Sequence, residues 1–187
     1  SALQFYINFA DPLQSAYSWS RSFPNSADAF SSEDLAFYFG YGSELAPLVN
    51  KNPNHNFFIA PIPQIKDAKF KLTGARVTGI AVSASSRNFN TAFLVASQMA
   101  SGDFAQKLAE AGGVAPARRD LLSKRRTDAY SPIFYSSAIF AKSWLDPSDR
   151  ETDNIFRGMI DGALSGNLST REAVLDAGSR LRLLLLK

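Results

Sequence analysis

The sequence predicts an α/β fold that is rich in helices and has a short mixed sheet. Three aromatic or branched apolar runs, each next to Gly or Pro, are typical of strands; they occupy residues 35–39, 57–60 and 77–82. Segments with apolar side chains at helical spacing lie between and after these runs. With 187 residues, of which 45% are hydrophobic and 20% charged, the chain can bury a core and is not typical of a disordered protein.

Helix ends are marked by capping residues. Ser148 with Glu151, and Ser169 with Glu172, form capping boxes, in which the hydroxyl accepts from an early amide and the glutamate bonds back. An apolar stripe at helical spacing follows each box. The two stripes are Ile155, Phe156, Met159, Ile160, Ala163 and Leu164, and Ala173, Val174, Ala177, Leu181 and Leu184. Further helices are predicted over residues 2–10, 27–30, 43–49 and 101–111, after Asn88, and from Pro132 onward.

Composition excludes or disfavours several kinds of site. The chain has no Cys, which excludes disulfides, zinc–thiolate sites and thiol nucleophiles. Its one histidine, His55, lies in a polar turn-like segment, where an exposed turn residue is favoured over a general base. No Gly-rich phosphate loop is present, and we expect no cofactor. The net charge is 20 minus 17, or +3, which is too near balance to indicate nucleic acid or a membrane as a partner.

Charged side chains allow two interpretations. The densest basic cluster is either an anion site or, as favoured here, a solvated helix end that Asp120 and Asp128 partly neutralise. The cluster consists of Arg118, Arg119, Lys124, Arg125 and Arg126. Several acidic residues could supply the carboxylate pair of a glycoside hydrolase, but most lie at helix starts, where the helix dipole favours them without any catalytic role. They are Glu33, Asp34, Glu44, Asp146, Asp149, Glu151 and Asp153.

Aromatic side chains are the main candidates for ligand contacts. The ring face of Trp or Tyr stacks on the C–H face of a sugar, while nearby polar groups take the hydroxyls; ordinary packing is the alternative for each ring. Tyr41 stands out because it follows the glycine that ends a predicted strand, where side chains project into a cleft. Tyr38, within that strand, is expected in the core. Trp19 lies among serines, where an aromatic ring either folds onto the core or faces a ligand.

Five segments, taken in chain order, resemble the extracellular solute-binding proteins of ABC importers. The class is the large carbohydrate-type one, similar to maltose-binding protein. Ala29 and Phe30 followed by residues 35–41 (LAFYFGY) resemble the family's aromatic strand, although the family glycine before that strand is replaced near residues 32–34. The other segments are residues 56–64 (NFFIAPIPQ), 78–83 (TGIAVS) with Arg87, Asn88 and Ala92, 114–118 (VAPAR), and 165–169 (SGNLS) with Glu172 and Ala173.

The resemblance implies a periplasmic-binding-protein-like fold of two α/β lobes, of which this chain forms mostly the carboxyl-terminal lobe. Residues 1–77 would begin that lobe, residues 78–128 would cross toward the amino-terminal lobe, and residues 129–187 would supply its closing helices. Residues 77–79 and the region near Asp128 are then hinge candidates. Because the first residues read as the middle of a helix, we expect the chain to belong to a longer protein that carries the other lobe.

The resemblance also implies function. We expect capture of a solute, a sugar or oligosaccharide, without catalysis, and docking to the importer's membrane subunits. The expected location is extracellular or periplasmic, with any lipid anchor in a segment outside this chain. Tyr41 matches a ligand-stacking aromatic position, Asp153 and Asn154 lie in a helix that carries cleft side chains in relatives, and Trp19 is added on composition alone.

Three further expectations concern partners and alternatives. Apolar surface meant for an absent lobe would be covered by repacking or by a homodimer of the fragment. The first alternative function is a carbohydrate-active hydrolase domain that uses an Asp/Glu pair. The second is a purely structural interaction domain.

Overall fold

Helices dominate the computed structural model, which describes residues 2–124 and 126–186. In chain order they are α1 (Ala2–Ile7, continued by a 3-10 turn, Asn8–Ala10), α2 (Ser26–Ser31), α3 (Leu45–Lys51, preceded by a 3-10 turn, Gly42–Glu44), α4 (Phe89–Met99), α5 (Gly102–Gly112), α6 (Arg119–Leu122), α7 (Ser131–Ala138), α8 (Asp149–Leu164) and α9 (Thr170–Leu185). The prediction of a helix-rich chain with a small sheet is confirmed. In the described segments, no helix has the length and apolar character needed to cross a bilayer.

The sheet is smaller than predicted and parallel rather than mixed. Strand β1 (Thr73–Gly74) pairs with β2 (Ala141–Lys142), with Thr73 opposite Ala141 and Gly74 opposite Lys142. The Ala75 N–H continues the ladder to the Lys142 carbonyl at 2.9 Å.

The three segments predicted as strands, residues 35–39, 57–60 and 77–82, all lie outside this sheet. A strand requires a neighbour that supplies donors and acceptors, and a hydrophobic run alone does not provide one. Pro61 and Pro63 further remove N–H groups from the ladder after the second segment. Phe37 and Phe58 are 81% and 96% exposed, so these runs are not buried as sheet strands would be.

The chain divides into two units. The described parts of Ser1–Pro24 and Trp144–Lys187 form the terminal unit, and Asn25–Ser143 forms the central unit. The three-part division at residues 77 and 128 implied by the family resemblance stays a prediction.

The terminal unit is built around the pair α8 and α9, which α1 contacts on both members. Its buried side chains are Leu3, Thr152, Ile155, Ala173 and Ala177. The turn between the two helices uses Gly166 at φ 74°, a left-handed conformation that favours glycine. Gly162 allows a close approach, since a Cβ there would lie 2.9 Å from Leu168 Cδ1. Ile155, Ala173 and Ala177 are the most buried members of the two predicted apolar stripes. The stripes are not wholly buried, however, because Phe156 and Val174 are 40% and 46% exposed.

The two predicted helix caps form differently. At α9 the capping box is complete: Ser169 Oγ accepts from the Glu172 N–H at 3.2 Å, and Glu172 Oε2 accepts from the Ser169 N–H at 2.8 Å. At α8 the Ser148 hydroxyl accepts from the Glu151 N–H, but the Ser148 N–H bonds Asp146 Oδ1 at 3.0 Å. Asp146 also accepts from the Thr152 hydroxyl at 2.7 Å and so takes the role predicted for Glu151.

The cap of α9 leads to a stability prediction. Ser169→Ala removes the hydroxyl that satisfies an early amide, so we expect a loss of about 1 kcal/mol in the free energy of unfolding, measured by urea denaturation with far-UV circular dichroism. Ser179→Ala, in the exposed middle of the same helix, is the matched control and should cost nothing, because Ala is the better helix former.

The same cap predicts how the stability of the fold changes with pH. Hydrogen bonds from the Ser169 hydroxyl and backbone N–H lower the pKa of Glu172 below its ordinary value of 4.5. A lowered carboxyl pKa stabilises the fold above that ordinary value, and the stabilisation is lost as pH falls through the lowered pKa. The difference between the wild type and Ser169→Ala should therefore shrink as the pH drops below about 4.5. A difference that stayed constant down to pH 2 would contradict this account.

Candidate functional site

Tyr41 stands at the start of the 3-10 turn before α3, and one carboxylate organises its surroundings. Glu44 Oε2 accepts hydrogen bonds from the Tyr41 backbone N–H and from the Tyr38 hydroxyl, both at 2.9 Å. The Glu44 N–H in turn donates to the Tyr41 carbonyl at 2.9 Å. The backbone of Tyr41 is therefore held from both sides, while its ring takes no part in these bonds. Burial, followed by the hydrogen bond to Glu44 and its negative charge, raises the pKa of Tyr38.

Gly40 is required by this arrangement. A Cβ placed on Gly40 would overlap Glu44 Oε2 and would lie 2.5 Å from Tyr38 Cε1. On the other side of the turn, a Cβ on Gly42 would lie 3.2 Å from the ring of Phe134 in α7. The two glycines that flank Tyr41 thus let Glu44 and α7 approach the turn closely.

An aromatic cluster lies beneath the turn. The ring of Phe30, which is 8% exposed, stacks on Tyr38 at 5.6 Å and meets His55 at 4.7 Å and Phe57 at 5.3 Å. The prediction that His55 is an exposed turn residue is half wrong. Its backbone N–H does bond the Asn52 carbonyl in a turn, but its ring is half-buried between Phe30 and Phe57. The imidazole serves as a packing surface, as a flat aromatic ring can.

The Tyr41 ring itself is not sealed inside the fold. Tyr41 is 41% exposed, and the guanidinium carbon of Arg76 lies 5.0 Å from the centre of its ring, within cation–π distance. The Tyr41 hydroxyl lies 3.9 Å from the position a Cβ would take on Gly74 of β1. The aromatic side chain is thus held beside a strand with part of its surface open.

The loop that presents Arg76 is pinned by a single glutamine. The Gln64 amide accepts from the Leu72 N–H at 2.9 Å and donates to the Leu72 carbonyl at 3.0 Å, as the backbone of a neighbouring strand would do. The basic segment of residues 66–76 was not among the predicted sites. Arg76 and Gln64 are therefore site residues that the sequence analysis missed. The excess of cations in this segment was the available signal.

The other predicted ligand residues belong to the terminal unit. Trp19 is 38% exposed. Asp153 is exposed and forms an ion pair with Arg157 at 2.8 Å, one helical turn later, and Asn154 beside it is also exposed. Arg21, close to Trp19 in sequence, pairs with Asp161 of α8, which lies about 12 Å along the helix from Asp153.

The described side chains of the basic cluster include several that form ion pairs and hydrogen bonds with neighbouring residues. Arg126 pairs with Glu110 at 3.0 Å and lies 5.6 Å from the Tyr135 ring, and Lys124 donates to Gln106. Arg118 binds both carboxylate oxygens of Asp120 at 3.1 Å. Arg125 lies outside the described residues. The favoured interpretation, neutralisation by neighbouring acids, fits these pairs, which tie α5 to the segment after it.

The carboxylates with shifted pKa values all lie at such structural contacts. Hydrogen bonds from Gln106 and then from Arg126 lower the pKa of Glu110, and the hydrogen bond from Arg118 lowers the pKa of Asp120. Hydrogen bonds from Ser131 lower the pKa of Asp128 at the start of α7. A general acid for glycoside hydrolysis requires the opposite shift, upward into the neutral range.

Concave surface lies elsewhere, along α4. An open hollow of about 500 Å³ separates residues 80–88 from α4 and is lined by apolar groups such as Ile80, Val82, Val95 and Met99. A second hollow of about 350 Å³ is lined by Phe89, Asn90, Phe93 and Leu94. Neither hollow includes a predicted ligand residue.

The close contact at Gly40 leads to a second prediction. Gly40→Ala should separate Glu44 from Tyr38 and destabilise the central unit by about 1–3 kcal/mol, because the added methyl group overlaps a side chain that has bonding partners of its own. Gly79→Ala is the matched control, since no atom lies within 4 Å of its added Cβ. Chemical denaturation of both variants provides the comparison, and equal stabilities would refute the assigned role of Gly40.

Comparison with known proteins adds no relative to this description. No protein-family model matches the chain, and no curated protein matches it significantly. The assignment of function therefore depends on the residues and contacts described above.

Proposed function

We propose that this chain is part of a solute-binding protein of an ABC importer and that it contributes to the binding of a sugar or oligosaccharide. The observation that carries the proposal is the state of Tyr41, whose backbone is held by Glu44 while the residue stays 41% exposed. A ring that is rigidly placed yet open loses little entropy when it stacks on a ligand. In the terminal unit, the adjacent polar residues Asp153 and Asn154 of α8 are proposed separately to bind hydroxyl groups.

The proposed mechanism is capture without turnover. The sugar's C–H face stacks on Tyr41 of the central unit, and two lobes close around the solute at hinges near residues 77–79 and Asp128. Trp19, in the terminal unit, is proposed separately as an aromatic ligand contact. The closed form then docks on the importer's membrane subunits, outside the cell or in the periplasm. We propose no cofactor and no nucleic-acid partner. Turnover of a chromogenic glycoside, abolished by substitution of one Asp or Glu, would point to the hydrolase alternative.

A binding measurement tests the role of Tyr41. Tyr41→Ala should weaken saccharide binding by about tenfold, because it removes the stacking surface, in saturation-transfer NMR with a panel of sugars, which detects weak binding. Tyr17→Ala is the matched control, since Tyr17 is similarly exposed, at 37%, and lies in the other unit. If every sugar fails and another solute binds, the carbohydrate part of the proposal is wrong.

Exposed apolar surface supports the proposed association of two copies. Helix α4 has no buried residue, and Phe89, Phe93, Leu94 and Val95 are 48%, 58%, 69% and 53% exposed. This helix lies in the segment proposed to cross toward the other lobe, where it would lack its packing neighbours. An apolar patch of this kind is typical of an interaction surface.

Association can be measured directly. Size-exclusion chromatography with light scattering should show a dimer of this chain, and Phe93→Ser should shift it toward the monomer because it removes an exposed apolar ring. Phe37→Ser, at an exposed position outside α4, is the matched control and should leave the dimer unchanged. A compact monomer at all concentrations would contradict the proposal.

A further inference from the structure

A cationic group stands directly against the candidate stacking residue. The guanidinium of Arg76 lies over the Tyr41 ring at 5.0 Å, and the side chain of Arg76 is exposed. A guanidinium that contacts an aromatic ring through its flat face keeps its N–H donors free at its edge. These donors are arranged as a fork that matches a carboxylate.

The register of the sheet adds a second cation on the same face. A Cβ built on Gly74 would point toward the Tyr41 hydroxyl and would lie 3.9 Å from its oxygen. Lys142 lies opposite Gly74 in the parallel ladder, and side chains of residues that lie opposite each other share a face. Arg76 follows Gly74 by two residues and so shares that face too, since side chains alternate along an extended chain. Tyr41, Arg76 and Lys142 are therefore brought to one face of the sheet.

These two cations have no acidic partner among residues 2–124 and 126–186. Among the described residues, no ion pair involves Arg76 or Lys142, although acids pair with Arg118, Arg126 and Lys51 elsewhere in the central unit. The segment before Arg76 carries Lys66, Lys69 and Lys71 against one acid, Asp67. Glu44, the nearest acid in the turn, is occupied by Tyr38 and the Tyr41 backbone. The charge of Arg76, beside Tyr41, is therefore not neutralised by any acid among the described residues and is available to an anionic ligand.

We propose that this face selects a saccharide that bears a carboxylate, a uronate or uronate oligosaccharide, over its neutral counterpart. This inference rests on the proposed function, in which Tyr41 stacks on a sugar. The ring of the sugar takes the exposed part of Tyr41, the Arg76 fork binds the carboxylate through two N–H donors, and Lys142 adds a point charge. Attraction between opposite charges also brings the anionic ligand to this face faster than a neutral one.

The test compares D-glucuronate with D-glucose, and with acetate as a carboxylate without a sugar, on the full 187-residue chain by saturation-transfer NMR. Glucuronate should bind on the order of tenfold more tightly than glucose, the size expected of one charge-assisted contact, and the preference should weaken with added salt. Arg76→Gln should abolish the preference, and Arg76→Lys should retain part of it, because Lys keeps the charge without the fork. Unchanged far-UV circular dichroism confirms that each variant folds.

Lys71→Gln is the matched control, because it removes the same charge from the same segment at the alternate register. If it abolishes the preference as fully as Arg76→Gln, general attraction explains the effect and the inference is overturned. Acetate that binds as tightly as glucuronate overturns it as well. Equal binding of glucose and glucuronate overturns the inference but leaves the proposed function standing, whereas failure of both sugars overturns both.

Discussion

The hydrogen bonds of Glu44 are the interaction on which the candidate site depends. One carboxylate oxygen holds the Tyr38 hydroxyl, which belongs to an aromatic cluster, and the Tyr41 backbone, which carries an exposed ring. Because Tyr38 is packed in the cluster, the Glu44 carboxylate that it binds also fixes the backbone of Tyr41, whose side chain lies outside the cluster. Gly40 makes the contact sterically feasible, because any larger residue would occupy the space of the carboxylate.

Side-chain contacts take the place of regular strand pairing in this part of the chain. Gln64 bonds both backbone groups of Leu72, and Asn52 donates to the Ser31 carbonyl at 2.9 Å, so that loops rather than ladders bring distant segments together. Each such bond contributes modestly to stability, because folding exchanges it for bonds to water. What these bonds determine is geometry, and the presentation of Tyr41 and Arg76 is their consequence.

Some arginines of the central unit form ion pairs with acidic side chains, and Arg76 does not within the described residues. In the central unit, Arg118 and Arg126 are matched by Asp120 and Glu110. The hydrogen bond from Arg118 lowers the pKa of Asp120, and hydrogen bonds from Gln106 and then from Arg126 lower the pKa of Glu110. Within the part of the chain that the structure describes, Arg76 has no acidic partner and lies over the Tyr41 ring, which attracts a cation without neutralising it. The densest basic cluster in the sequence is therefore the less informative one, and the function proposed here draws on a single arginine outside it.

Local features were predictable from the sequence, because their causes lie within a few residues. The caps at Ser148 and Ser169, the turn at Gly166 and the apolar stripes of α8 and α9 all follow from short-range spacing, and the structure contains them. The position of Tyr41 after a glycine was also visible in the sequence, and the residue is partly exposed. Its role as a ligand contact stays a prediction.

Only the tertiary structure decided which segments pair and which side chains meet. The runs at residues 35–39, 57–60 and 77–82 have the composition of strands, yet a strand can pair with a partner from anywhere in the chain. The ladder formed instead between β1 and β2. The half-burial of His55, the substitution of Asp146 for Glu151 at the α8 cap, and the approach of Arg76 to Tyr41 have the same origin. Each depends on which side chains come into contact in the folded chain, and the separation of two residues in the sequence does not determine that.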